Sequence, residues 1–178
     1  MAKWKKIESR KIANSSMFEL KEHDIILPDE NKKTYTLFEM PDFAAILPIY
    51  NNMIVFIKNY RYPVDKKILE IPAGFIEKNE SPEETAEREL EEETGYIFKR
   101  CKKLCEYHPV ASLNDQTAYL FYGEVKKGGN IDLDEGEDID TKLIPIPDAY
   151  RMLDENDIEH PHTQIALYRA EKFLTKED

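Results

Sequence analysis

The chain has 178 residues, enough for one full domain with a short extension and too few for a large multidomain assembly. Hydrophobic residues make up 41% and charged residues 34%, which implies a packed core under a heavily charged surface and excludes wholesale disorder. With 25 basic and 36 acidic residues the formal net charge is −11, the wrong sign for holding nucleic acid through its phosphates, so any phosphate chemistry here must recruit cations.

No apolar run approaches the roughly 20 residues needed to cross a bilayer. The first residues, Met1-Ala2-Lys3-Trp4-Lys5-Lys6, lack the apolar centre of a signal peptide. A cytoplasmic protein with no membrane or nucleic-acid partner is expected. Residues 1–40 hold two alternating stretches, Phe18-Glu19-Leu20-Lys21 and Tyr35-Thr36-Leu37-Phe38, around the turn-like Pro28-Asp29-Glu30-Asn31. They predict a β-hairpin extension too short to close its own core, which needs the rest of the chain or a second subunit to lean on. Residues 41–178 then form the main domain.

Two β-rich stretches, Ala44 to Tyr50 and Met53 to Tyr60, flank Asn51-Asn52 and predict a hairpin. Ile68-Leu69-Glu70-Ile71 predicts a short strand stopped by Pro72. Ser81-Pro82-Glu83-Glu84 combines a Ser N-cap, a proline in the first turn and a capping-box Glu, so a helix is expected from Pro82 until Gly95 ends it. Further strands are predicted at Cys105 to His108, Ala118 to Val125 and Lys142 to Ile146. Helices are predicted at Asp148 to Asp154 and Thr163 to Leu174, with an acidic loop at Asp132 to Asp140. Cys101, Cys105 and His108 raise a zinc site, but no fourth ligand is spaced to complete a tetrahedron, and two reduced, partly buried thiols are the simpler reading.

Seven of the thirteen residues from Ser81 to Glu93 are Glu, with Arg88 the single base among them. Like charges at i, i+4 repel, so this composition works against an isolated helix. Glu89, Glu92 and Glu93 are three and four residues apart and project from one face as a carboxylate cluster, a donor set suited to hard cations such as Mg2+ or Mn2+. The alternative is a solvated acidic face. Pro72-Ala73-Gly74 just upstream favours the first reading, because a glycine there allows close approach to the backbone.

Residues 74–96 read Gly74, five residues, Glu80, seven residues, then Arg88-Glu89-Leu90-Glu91-Glu92-Glu93-Thr94-Gly95-Tyr96. This resembles the Nudix box, G-x5-E-x7-R-E-U-x-E-E-x-G-U, with U a bulky aliphatic residue. Every fixed position matches, and only Tyr96 departs, at a packing position. The resemblance implies an α/β fold, the Nudix α/β/α sandwich with a mixed sheet, here with the small N-terminal antiparallel β extension. It implies a hydrolase that cleaves a nucleoside diphosphate linked to another moiety. Glu89, Glu92 and Glu93, with the backbone carbonyl of Ala73, become metal-ligand candidates for Mg2+, with Mn2+ as a substitute. Arg88 braces the carboxylates.

Outside the box, Asn59-Tyr60-Arg61-Tyr62-Pro63 and Leu69-Glu70-Ile71-Pro72-Ala73-Gly74 resemble the ADP-ribose pyrophosphatase branch. By position Arg61 grips the diphosphate through paired hydrogen bonds, and Glu70 and Phe18 complete the substrate-binding set, with Phe18 stacking on adenine. Asp134-Glu135-Gly136-Glu137-Asp138 resembles a loop that carries a catalytic Glu, making Glu135 the general-base candidate and Glu137 an auxiliary metal ligand. Glu92, Glu93 and Arg88 join Glu135 in the catalytic set. In this branch the N-terminal hairpin is exchanged within a homodimer. Two departures leave the substrate open: His108-Pro109-Val110-Ala111-Ser112 lacks the glycine of a Ser-Pro-Gly stretch, and Tyr35-Thr36 stands where a base-recognising Arg is usual. ADP-ribose is the first choice, another nucleoside diphosphate sugar such as GDP-mannose the second, and a nucleotide-sensing module without turnover the third.

Overall fold

In the computed structural model, which describes residues 3–136 and 138–174, the longest apolar runs become central strands of a mixed sheet. The chain divides into two units, one comprising the described residues up to Asp42 together with His108–Thr117, the other Phe43–Tyr107 with Ala118 onward.

The first unit is an antiparallel meander of β1 (Lys5–Asn14), β2 (Glu19–Ile26) and β3 (Lys32–Glu39), in the order β1-β2-β3. The two predicted strands are present, and β1 precedes them as an unforeseen third. All ten of its residues are exposed, so no burial pattern announces it in the sequence. It is held by its backbone ladder to β2 and by Arg10, which donates to Glu22 (2.9 Å) and Asp24 (2.8 Å) across the pair. The β2–β3 turn closes on an Asx contact from the Asn31 N–H to Asp29 Oδ1 at 3.2 Å. Residues 108–117 join this unit through the Phe38 N–H, which donates to Leu113 O at 3.1 Å, and the Tyr35 hydroxyl, which donates to Ser112 O.

The second unit is built on seven strands: β4 (Phe43–Tyr50), β5 (Met53–Arg61), β6 (Lys66–Glu70), β7 (Ala73–Phe75), β8 (Tyr96–Tyr107), β9 (Ala118–Lys127) and β10 (Ile139–Pro145). The main path runs β10-β5-β4-β9-β8, with β6 paired to β5 and β7 to β4; β4 and β9 are parallel and the other pairs antiparallel. Asn51 and Asn52 both take positive φ (48° and 60°), the geometry a two-residue hairpin turn demands. Helix α1 (Pro82–Thr94) covers one face of the sheet, and α2 (Ile146–Asp154) and α3 (Pro161–Leu174) cover the other. Because side chains alternate along β4, Ala44 and Ile46 pack towards α1 while Ala45 and Leu47 pack towards α2 and α3. That two-sided burial explains why residues 43–48 read as a continuous apolar run.

Three expectations need correction. Strand β8 begins at Tyr96 rather than Cys105, and irregularities at Phe98/Arg100 and Lys103/Cys105 break the alternation that would have revealed it. Strand β7 replaces a plain tight segment: Ala73 and Gly74 pair with Ala45 and Ala44, past the proline that ends β6 pairing. Helices α2 and α3 start two residues early because proline occupies the first turn of each. Cys101 and Cys105 are free thiols. No helix among the described residues is long and apolar enough to cross a membrane.

Candidate active site

The sequence at the start of α1 folds as its capping signals dictate. Ser81 Oγ accepts from the Glu84 N–H (3.3 Å), Glu84 returns a carboxylate to the Ser81 N–H (2.8 Å), and Gly95 closes the other end at φ 69°. The helix has one large aliphatic anchor, Leu90, fully buried, a contact worth about 2–3 kcal/mol. Its other long side chains are charged, so the acids must be held by something other than apolar packing.

Arg88 holds them. Its five N–H groups are all used: Nε and Nη2 donate to the two oxygens of Glu80 (2.9 and 3.1 Å), Nη1 donates to Glu89 (2.7 Å) and Glu92 (2.9 Å), and Nη2 also reaches Phe75 O (3.1 Å). The Arg88 guanidinium drives the Glu80 carboxyl down to about 2 against the opposing effect of burial, with help from the Thr85 hydroxyl. The carboxylates in turn push Arg88 upward.

Helix α1 lies against β7, and two of its carboxylates meet that strand. A Cβ placed on Gly74 would stand 1.8 Å from Glu89 Oε1 and 2.6 Å from Oε2, so the glycine's bare Cα makes the cradle in which Glu89 rests. Glu93 is 4% exposed, and its Oε2 accepts from the Ala73 N–H at 3.1 Å. Hard oxygen donors seated on a backbone strand fit a hard divalent cation in kind. In their present positions, among the described residues, no group of three or more His, Cys, Asp or Glu side chains is arranged to hold a metal ion. Glu89 and Glu92 turn towards Arg88 instead.

A second group lies at most about 11 Å along the chain from Ala73, since only Ile71 and Pro72 stand between it and Glu70. Arg61, at the end of β5, donates from Nε to Glu70 Oε1 at 2.8 Å and from Nη2 to Oε2, a two-point pairing. The Glu70 side chain is 1% exposed and the Arg61 side chain 45%. Glu70 therefore faces Arg61 and the interior, with its oxygens engaged away from solvent, while the guanidinium reaches the surface.

Behind Glu70 stands a pair of imidazoles that sequence reading missed. His160 Nε2 is 3.9 Å from Glu70 Oε2, and its Nδ1 is 2.9 Å from Thr163 Oγ1. His162 packs its ring, tilted by 54°, 4.6 Å from Phe43 and pairs through Nδ1 with the Tyr107 hydroxyl. Burial lowers both, His162 to about 4, so each ring is neutral near pH 7. A His-Pro-His-Thr string before a helix carries no spacing signal that could have placed them there.

The acidic loop is fastened at both ends. The Asn130 N–H donates to Glu91 Oε1 (3.2 Å) and the Asp132 N–H to Glu92 O (3.0 Å), while Lys67 pairs with Asp138 (2.7 Å) and Asp140 (3.1 Å). Glu135 sits at the exposed turn between these anchors and forms no hydrogen bond or ion pair among the described residues. Glu137 lies outside the described residues. Phe18 belongs to the first unit, where it packs on Phe38 at 5.9 Å and is 40% exposed. A cavity of about 580 Å³ between Ile49, Arg100, Tyr122 and Phe173 contains none of the predicted site residues, whereas one of about 460 Å³ is lined by Arg88 and Glu92.

Known proteins resemble this chain over most of its length. The NUDIX domain profile matches residues 40–165. An ADP-ribose pyrophosphatase of Bacillus subtilis (strain 168) is 30% identical over 171 residues, covering 92% of this chain and 92% of that protein. A methanol dehydrogenase activator of Bacillus methanolicus is 34% identical over 166 residues, covering 92% and 90% respectively. A crystal structure of an ADP compounds hydrolase superposes with a TM-score of 0.88 at 20% identity, covering 98% of this chain and 95% of that one, which shows a shared fold.

Proposed function

The chain belongs to the NUDIX family and is a Nudix pyrophosphohydrolase, and on that premise we propose that it hydrolyses the diphosphate of ADP-ribose to AMP and ribose 5-phosphate with Mg2+. The observation that carries the proposal is the seating of Glu89 in the Gly74 cradle and of Glu93 on the Ala73 N–H, on a strand that begins three positions after Glu70, the partner of the half-exposed Arg61.

Glu89, Glu92 and Glu93, with the Ala73 carbonyl, would hold Mg2+, and Glu137 would assist. When bound, the ion supplies charge neutralisation for the diphosphate and acidifies water. The chain's own residues do the rest. Arg61, oriented by Glu70, binds the diphosphate oxygens and opposes the negative charge that develops on them. Arg88, bonded to Glu89 and Glu92, holds those two carboxylates close together. Glu135, exposed on a loop anchored at both ends, takes the proton from the attacking water. The named B. subtilis relative supports ADP-ribose as substrate.

Incubation with ADP-ribose and Mg2+, with products resolved by anion exchange, tests the reading directly. AMP formed by wild type and lost in Glu93→Gln supports it; wild-type turnover in Glu93→Gln at saturating Mg2+ removes the metal assignment. A panel including GDP-mannose, compared by kcat/KM, decides the substrate.

The proposal extends to a cytoplasmic homodimer. Strand β1 is an open edge with Ile7 and Ile12 52% and 51% exposed, a surface that calls for a partner. Light scattering at micromolar concentration is expected to give twice the chain mass, and a monomeric mass would overturn this.

A further inference from the structure

We infer that His160 is a positioning residue for diphosphate binding: held by Thr163, it turns its Nε2 towards Glu70 Oε2, an electrostatic contact at 3.9 Å, and so steadies the carboxylate that grips Arg61. The inference rests on the reading of Arg61 as the diphosphate ligand.

The argument starts from exposure. Arg61 has a long, flexible side chain that is 45% exposed, and holding it in one orientation costs conformational entropy. Its two-point pairing with Glu70 offsets that cost only if Glu70 is itself fixed. Glu70 is fixed from behind. Ile71, the next residue, donates its N–H to Thr163 Oγ1 at 3.1 Å, and Thr163 is fully buried in the first turn of α3. With that lone pair engaged, the Thr163 hydroxyl hydrogen has His160 Nδ1, 2.9 Å away, as its acceptor. A neutral imidazole that accepts at Nδ1 carries its hydrogen on Nε2, and Nε2 is the atom that faces Glu70 Oε2 at 3.9 Å. The ring cannot swing freely, because it packs edge-on against His162 at 4.9 Å and 87°. The groups facing His160 are thus Glu70 from β6, Arg61 from the end of β5, and Thr163 and His162 from α3. Backbone and side chain of one two-residue stretch, Glu70-Ile71, are both tied to the start of α3. A core packing role alone would need neither the Thr163 contact nor an imidazole nitrogen aimed at a carboxylate.

The test uses the full-length enzyme and whichever of ADP-ribose or GDP-mannose the wild type turns over faster. His160→Ala is expected to raise KM about tenfold while kcat changes less than about threefold, the signature of lost uniform binding. His160→Gln, whose amide reaches the Nε2 position, is expected to restore most of the affinity, and His160→Ala is expected to add nothing to Arg61→Ala. An unchanged KM in His160→Ala beside a raised KM in Arg61→Ala overturns the positioning role alone, as do additive effects in the double variant. An unchanged KM in Arg61→Ala removes the reading of Arg61 and this inference with it. If His160→Ala does not fold, His160→Gln is compared with His160→Met, similar in length but without a donor: a weaker Met variant supports the role, and equal KM values overturn it.

Discussion

Helix α1 carries seven glutamates between Ser81 and Glu93, and the loop from Asp132 to Asp140 carries six acids in nine residues, so the two stretches are almost equally acidic. They are organised differently. On α1 one arginine reaches three carboxylates with four hydrogen bonds and a backbone carbonyl with a fifth, a glycine makes room for one of the acids, and a backbone N–H holds a fourth. The loop has contacts at its two ends and an exposed Glu135 between. Charge density does not tell a rigid ligand platform from a solvated span; the positions of the few donors do.

Three substitutions break or sharpen that contrast. The largest expected effect belongs to the loop: Glu135→Gln should lower kcat about 10³-fold with no change in thermal midpoint, as befits an exposed general base. Wild-type kcat in that variant would return the loop to a plain solvated stretch. Next comes the platform. Gly74→Ala places a methyl where the Glu89 carboxylate lies, and since the clash is with the end of a flexible side chain, the fold should survive while kcat/KM falls about 100-fold. If instead the melting temperature collapses and the residual folded enzyme works normally, the cradle is structural only.

The smallest effect is on stability. Arg88→Met should cost about 2 kcal/mol in urea unfolding at pH 7. Glu80 has its folded value depressed to about 2 from 4.5, so its pairing stabilises the protein above pH 4.5 and that contribution is lost as pH falls towards 2. Wild type and Arg88→Met should therefore converge in stability over that window, and a gap that stays constant with pH would show that Glu80 is not the partner that matters.

The box was legible because its spacing encodes geometry: carboxylates three and four apart share a helix face, and Ser81-Pro82 and Gly95 set where that face begins and ends. The β4–β5 hairpin was legible through Asn51-Asn52 for the same reason, since few residues tolerate positive φ. Strand β1 was not, because a fully exposed strand needs no hydrophobic alternation. Glu70 was read as a substrate ligand from its place in a motif, whereas its burial directs it to Arg61. His160 and Thr163 stand about 90 residues away in sequence from the strand end they secure, and only the packing of α3 brings them there.

The pairing of Cys101 with α1 gives the protein a built-in chemical clock. Its Sγ donates to Glu83 at 3.1 Å, and burial with that carboxylate pushes the thiol up to about 12, so the reactive thiolate is scarce at pH 7. Maleimide or iodoacetamide is expected to label this cysteine slowly, and faster once the first turn of α1 lifts away from β8, so a rise in the labelling rate reports loosening of the platform helix.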